Sequence, residues 1–227
     1  MKLGSYAATM GAQAQQRRLD VIANNMANAN TTGFKKDDIH FRNFLDQATY
    51  TSMDQGPIKE TGGKLDIALA GNGFLRVKTN QGTLYTRAGN LTVNVDKTLV
   101  TQDGWPVLGK SGPIRIEEPS TVRIEPDGQV FDKEQKVDSL DLVEFPPQAV
   151  LQKTHSGCFQ PAAKEVEPIP AKECTVRQGA LEGANFNMME EMVRMVDTMR
   201  VFESYQKAIQ TFDRDLDGQI ISKFAMT

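Results

Sequence analysis

Apolar positions in this chain change period twice, with helical spacing at both ends and alternation in between. Leu3, Ala7, Met10, Ala14 and Val21 recur in steps of three and four or their sums. The spacing returns in Met189, Met192, Val196, Met199, Phe202, Tyr205, Ile209, Phe212, Leu216 and Ile220. A helix turns once per ~3.6 residues, so such steps gather apolar atoms along one side. The pattern predicts a first helix over about 3–29, closed by Asn28, Asn30, Thr31, Thr32 and Gly33, residues that suit a helix end. It predicts a closing helix from Asn185 or Asn187, both suitable N-caps, to about Lys223, with Glu190 and Glu191 in the first turn. At ~1.5 Å per residue that helix reaches on the order of 50 Å, beyond a compact domain of this size. Its apolar side requires a partner, and the natural one is the other terminal helix, in the same chain or in neighbouring copies.

Between the helices the period is two. Ile67 and Leu69 alternate before the turn Gly71-Asn72-Gly73, and Phe74, Leu75 and Val77 follow as a strand. Gln81-Gly82 reads as a hairpin turn into Thr83–Arg87. Leu91, Val93 and Val95, then Ile114 and Ile116, Val122 and Ile124, Val130 and Phe131, and Leu140, Leu142 and Val143 continue the rhythm between turns such as Asp103-Gly104 and Asp127-Gly128. Turn signals this close together predict a small antiparallel β-domain, curled or barrel-like. The Pro- and Ala-rich residues 146–172 read as an irregular loop, and Val176 begins a last extended piece. The expected fold is therefore α+β, with long N- and C-terminal α-helices pairing as a coiled-coil-like stalk and flanking a central small antiparallel β-domain. The expected division is 1–36 for the first helix and its turn, 37–65 for an extended connector, 66–180 for the β-domain and 181–227 for the closing helix.

Composition narrows the function. A net charge of −3 over 227 residues gives no electrostatic case for nucleic acid. No stretch approaches the ~20 consecutive apolar residues of a membrane span, so no membrane insertion is expected. Lys2 is followed by no continuous apolar core, so no cleavable secretory signal is expected. Candidate chemistry is thin. Asp213, Asp215, Asp217 and Gly218 match the first half of an EF-hand loop, but Phe224 stands where a bidentate Glu belongs and the helical stripe runs straight through; no calcium site is expected. Gly71 and Gly73 lack the third glycine and the helix of a phosphate loop. His40 and His155 are far apart and have no nucleophile motif nearby, so no enzyme, cofactor or metal is expected. Cys158 and Cys174 lack zinc spacing, and either a bridge between them or two free thiols is open. The methionines of the closing helix suit an interface among copies, since unbranched Met tolerates small misfits.

Four blocks together resemble the flagellar rod–hook family of axial proteins. They are Asn24-Asn25-Met26-Ala27-Asn28-Ala29-Asn30-Thr31-Thr32-Gly33-Phe34-Lys35; Gln55-Gly56 through Leu65-Asp66-Ile67-Ala68 to Gly71-Asn72-Gly73-Phe74; Tyr85-Thr86-Arg87-Ala88-Gly89-Asn90-Leu91; and Arg177-Gln178-Gly179-Ala180-Leu181-Glu182-Gly183-Ala184-Asn185-Phe186-Asn187. The resemblance implies a non-enzymatic subunit of the flagellar basal-body rod that transmits torque from motor to hook. It implies export through the flagellum-specific apparatus, a place in the periplasmic rod, and as partners other rod subunits and like copies of itself. It places the inter-subunit contacts on the two stripes, Leu3 to Val21 and Met192 to Leu216, with Asn24, Asn25, Asn28, Thr31, Thr32, Gly33, Phe34, Lys35, Gln178, Gly179 and Asn185 as signature positions. The short stretch of 19 residues between Lys35 and Gln55 looks most like the F-type subunit of the proximal rod, and a distal-rod subunit is the alternative. Outside the family, the competing reading is a soluble β-domain binding module whose terminal helices pair into a dimer.

Overall fold

The computed structural model describes residues 2–43, 46–80, 82–146, 148–154, 157–163 and 166–224. Among them the side chains of residues 2–3, 40–43, 46–48, 213 and 215–224 are left aside, so Leu3, His40 and Leu216 fall outside the described side chains, as His155 falls outside the described residues. The chain divides into two units, one of residues 1–28, 36–52 and 186–227, the other of residues 29–35 and 53–185.

The first unit holds helix α1 (Lys2–Ala27), strands β1 (Asp37–Asn43) and β2 (Asp46–Thr51), and helix α2 (Met188–Phe224). β1 and β2 pair antiparallel as a hairpin. α1 and α2 lie against each other through small residues: a Cβ at Gly11 would come within 2.5 Å of the Tyr205 ring, and one at Gly4 within 3.1 Å of the Phe212 ring. Ala8, Ala12 and Ala14 are buried beside Gly11. Asn187 Oδ1 accepts from Met189 N at 2.9 Å and caps α2.

The second unit is β-rich. It runs through β3 (Ile58–Glu60), β4 (Ile67–Ala70), β5 (Phe74–Thr79), β6 (Gly82–Thr86), β7 (Thr92–Val93), β8 (Leu99–Val100), β9 (Leu108–Gly109) and β10 (Gly112–Pro113). It continues with β11 (Arg123–Ile124), β12 (Gln129–Asp132), β13 (Gln135–Ser139), β14 (Leu142–Glu144), β15 (Leu151–Lys153), β16 (Cys158–Pro161), β17 (Ile169–Pro170), β18 (Thr175–Gln178) and β19 (Ala180–Glu182). Its largest sheet has six strands in the order β15-β16-β6-β5-β14-β17. β18 pairs with β4 and β19 with β3, so the last strands of the unit return to its first. Inward residues of the alternating strands meet in one apolar cluster that includes Ile67, Leu69, Leu75, Val77, Leu99, Val107, Ile114, Val130 and Val176. Phe74, Tyr85 and Phe159 form a second, with Phe145 edge-on to Phe74 and Tyr85.

Three expectations require correction. The β-rich region is not small: it runs from Ile58 to Glu182, around a six-stranded sheet. A coiled-coil-like stalk is not formed either. Knobs-into-holes packing needs large apolar residues at a regular 3.5-residue repeat on both partners, whereas α1 meets the Tyr205 and Phe212 rings of α2 with Gly11 and Gly4. Residues 146–172, read as irregular, carry β15, β16 and β17, and β16 sits between β15 and β6 with Cys158 and Phe159 buried. Strands of two to four residues that contain Pro161 and Pro170 give almost no alternation to read.

Cys158 and Cys174 are both buried as free thiols in the main apolar cluster. Burial pushes the Cys158 thiol up to about 11 and raises Cys174 as well. Both remain protonated and unreactive at neutral pH. Iodoacetamide at pH 8 is expected to label neither thiol in the native chain and both in urea; rapid native labelling would show the β-rich unit to be open.

Candidate assembly surface and signature cluster

The spacing that predicts one continuous stripe on α2 contains a rotation. From Met192 to Phe212 the apolar steps are mostly threes, and at ~100° per residue the stripe drifts about 160° around the helix over that distance. The structure divides the predicted residues accordingly. Phe202, Tyr205, Ile209 and Phe212 are half-buried, with Tyr205 and Phe212 against α1. Met192, Val196 and Met199 are exposed, at 40%, 49% and 47%, and Met189 and Val193 beside them at 68% and 60%. On α1, Ala14 is buried, Met10 and Val21 are half-buried and Ala7 is exposed. Aliphatic and thioether side chains left in water over three turns of one helix form an apolar patch with no partner among the described residues of its unit.

The signature residues do two separate things. In the first unit Asn25, 1% exposed, works as a side-chain imitation of a strand. Its Nδ2 donates to Asp37 O at 2.8 Å and its Oδ1 accepts from Asp37 N at 3.0 Å, tying the end of α1 to the start of β1. Asn24 is exposed and lends its carbonyl to Asn28 Nδ2 at 2.9 Å.

In the second unit Gly33, Phe34, Lys35 and Asn185 build or border a buried charge cluster. Gly33 takes φ +68°, and a Cβ there would lie 2.5 Å from the Arg87 backbone, so the turn admits no side chain. The turn delivers Phe34 and Lys35 to the interior, while Thr31 is exposed and Thr32 half-buried. Lys35 is 1% exposed; its Nζ donates to Asp54 O at 2.6 Å and to Glu182 Oε1 at 2.7 Å. Glu182 is fully buried and also accepts from Gly56 N at 2.8 Å and from Arg87 Nη1 at 3.3 Å. Arg87 reaches on to Gly71 O at 2.8 Å. Burial pulls the Lys35 ammonium below its ordinary value, and the Glu182 carboxylate acts against that pull.

Around this centre, Gly33 N donates to Glu182 O at 2.8 Å and Asn185 N to Phe34 O at 3.3 Å. Asn185 Nδ2 donates to Asp54 O at 3.1 Å, so Asn185 braces this knot and Asn187 is the helix cap. Gln178 joins three segments, accepting from Ile124 N and donating to Lys64 O and Val122 O. Gly179 takes φ +76° and its carbonyl accepts from Thr61 N and Gly62 N. The segments that follow α1 and precede α2 in the chain are thus fastened to each other and to β4–β6. Sequence reasoning passed over Glu182 and Arg87 as functional partners of Lys35. The available signal was a carboxylate at an inward position of an alternating strand, since Ala180 and Glu182 are both buried and Leu181 between them less so.

Among the described residues no grouping of His, Cys, Asp and Glu could hold a metal ion, and no helix is long and apolar enough to cross a membrane. The charge cluster is buried and tied by hydrogen bonds to the chain segments around it, which is the chemistry of a fastening.

Comparison with known proteins places matches along the chain. Residues 6–35 match a family described as flagella basal body rod protein, residues 68–131 the flagellar hook protein FlgE/F/G D1 domain, and residues 177–220 the flagellar basal body rod FlgEFG protein C-terminal family. The flagellar basal-body rod protein FlgF of Caulobacter vibrioides is 32% identical over 211 residues, covering 85% of this chain and 86% of that protein. FlgF of Mesorhizobium japonicum is 31% identical, covering 88% of each. The rod protein FlgG of Bacillus subtilis is 30% identical, covering 93% of this chain and 95% of its own.

Proposed function

Since the chain belongs to the flagellar basal-body rod protein family, we propose that it is a structural subunit of the rod, of the FlgF kind, and that it transmits torque from motor to hook. The observation that supports this is the apolar face Met189-Met192-Val193-Val196-Met199 of α2, exposed in the single chain and suited to neighbouring subunits. Contacts that repeat head to tail without closing generate a helical filament, which is what a drive shaft requires. The partners are other rod subunits and copies of this chain. The subunit travels through the flagellar export apparatus and resides in the basal body where the rod spans the periplasm. Its role is mechanical rather than catalytic, and its buried charges are consumed in fastening the β-rich unit to the chain segments flanking the helices.

The 19 residues between Lys35 and Gln55 favour the F-type place in the proximal rod over the distal one. Basal bodies purified from cells carrying an epitope-tagged chain should contain the tag at the cell-proximal end of the rod by immuno-electron microscopy. Label at the distal end would move the subunit to the FlgG position, and its absence from basal bodies would contradict the rod reading.

A further inference from the structure

The first unit contains a cavity of about 290 Å³ between α1, β1 and α2. Four carboxylates line it, Asp37, Asp38, Glu191 and Asp197, against two guanidiniums, Arg18 and Arg194. Asp37 is engaged by Thr51 Oγ1 at 2.6 Å. Arg194, half-exposed, divides itself between Asp38 Oδ2 at 3.6 Å and Glu191 Oε1 at 3.2 Å. Glu191 is 2% exposed, and its Oε2 has no partner among the described residues. A carboxylate oxygen buried without a protein donor is costly, and a cation or a strong hydrogen-bond donor in the cavity relieves that cost. The acids do not converge as metal ligands. An organic cation on a side chain fits the volume and the charge.

The same helix carries such a group on its other side. Arg200 stands nine residues beyond Glu191, about half a turn round α2 at ~100° per residue, on the face of Val193 and Val196. It is exposed and makes no ion pair among the described residues. The outer face of α2 thus offers an apolar patch with a guanidinium beside it, and the inner side offers an acidic cavity. We propose that the cavity receives the Arg200 guanidinium of a neighbouring copy of this chain. A planar donor fork in the cavity pairs with its lining carboxylates, next to the unpartnered Glu191 oxygen, and adds a charge of the sign the cavity lacks. Two different patches meet, so the contact is heterologous and repeats from copy to copy. Docking of this kind rests on the rod reading above.

Charge exchange tests it in cells. Arg200→Glu, a change at an exposed position, and Glu191→Lys are each expected to abolish swimming, and the double variant to recover it. Arg200→Cys paired with Asp38→Cys should give a ladder of disulfide-linked copies on mild oxidation of intact cells, and Val95→Cys paired with Asp38→Cys should not. Normal swimming of Arg200→Glu, or no ladder from the 200/38 pair, overturns the docking. A strain lacking the whole chain separates the two claims: if it swims, the rod reading itself fails, and if it does not, only the Arg200 docking has been refuted.

Discussion

Glu182→Ala is expected to lower the melting temperature of the chain by roughly 6–20 °C, followed through the near-ultraviolet signal of Trp105. That range follows from about 3–5 kcal/mol for breaking a buried ion pair by removing one partner, at about 2–4 °C per kcal/mol for a chain of this size. Two buried cations, Lys35 and Arg87, lose their shared carboxylate, and Gly56 N loses its acceptor. Lys35 already feels the pull of burial toward the neutral form, and without Glu182 that pull is opposed far less. The loss exceeds that of a surface pair such as Arg123–Glu125, where both partners are partly in water. A Glu182→Ala protein that melts with the wild type would show the cluster to be an incidental contact.

Replacing Met192 and Val196 with Asp has the opposite profile, with motility lost and the subunit intact. Both side chains are about half in water, so the exchange removes little packing from the folded chain and its melting temperature should stay within a few degrees. In the proposed assembly Arg200 of the same face is taken up by the neighbouring copy, so the two carboxylates would be buried in an apolar seam without a counter-charge, and each such burial costs several kcal/mol at every copy. Swimming in soft agar and electron microscopy of basal bodies provide the readout, with rods missing or truncated. Phe202→Asp serves as a contrast, since Phe202 is half-buried at the stage where the stripe has turned toward α1, and it should destabilise the subunit itself.

The helices were legible because long stripes of apolar side chains tolerate errors of a residue or two, and strands β4, β5 and β6 because their buried residues recur between clear turn signals. The stretch that carries β15, β16 and β17 was not, because tertiary pairing with β6 and β14 stabilises strands too short to show a period. Spacing also exposed the α2 stripe without revealing that it divides into a face toward α1 and a face toward solvent. That division was present in the steps of three, which fall short of a full turn each time. The signature blocks could be matched to a family without any account of their physics. Gly33, Lys35, Gly56, Arg87 and Glu182 act together only because β18 and β19 bring residue 182 back to residues 35 and 56, a closure that no local pattern contains.

If the chain is a rod subunit, the exposed face of α2 is covered by a neighbouring subunit in the assembled rod. A photo-crosslinking amino acid placed at Val196 in cells with complete flagella tests this most directly. Covalent adducts between this chain and another rod subunit or a second copy of itself are expected, and they should be lost in a strain unable to assemble the rod. Recovery of the chain only as an uncrosslinked monomer, from cells that swim, would contradict it.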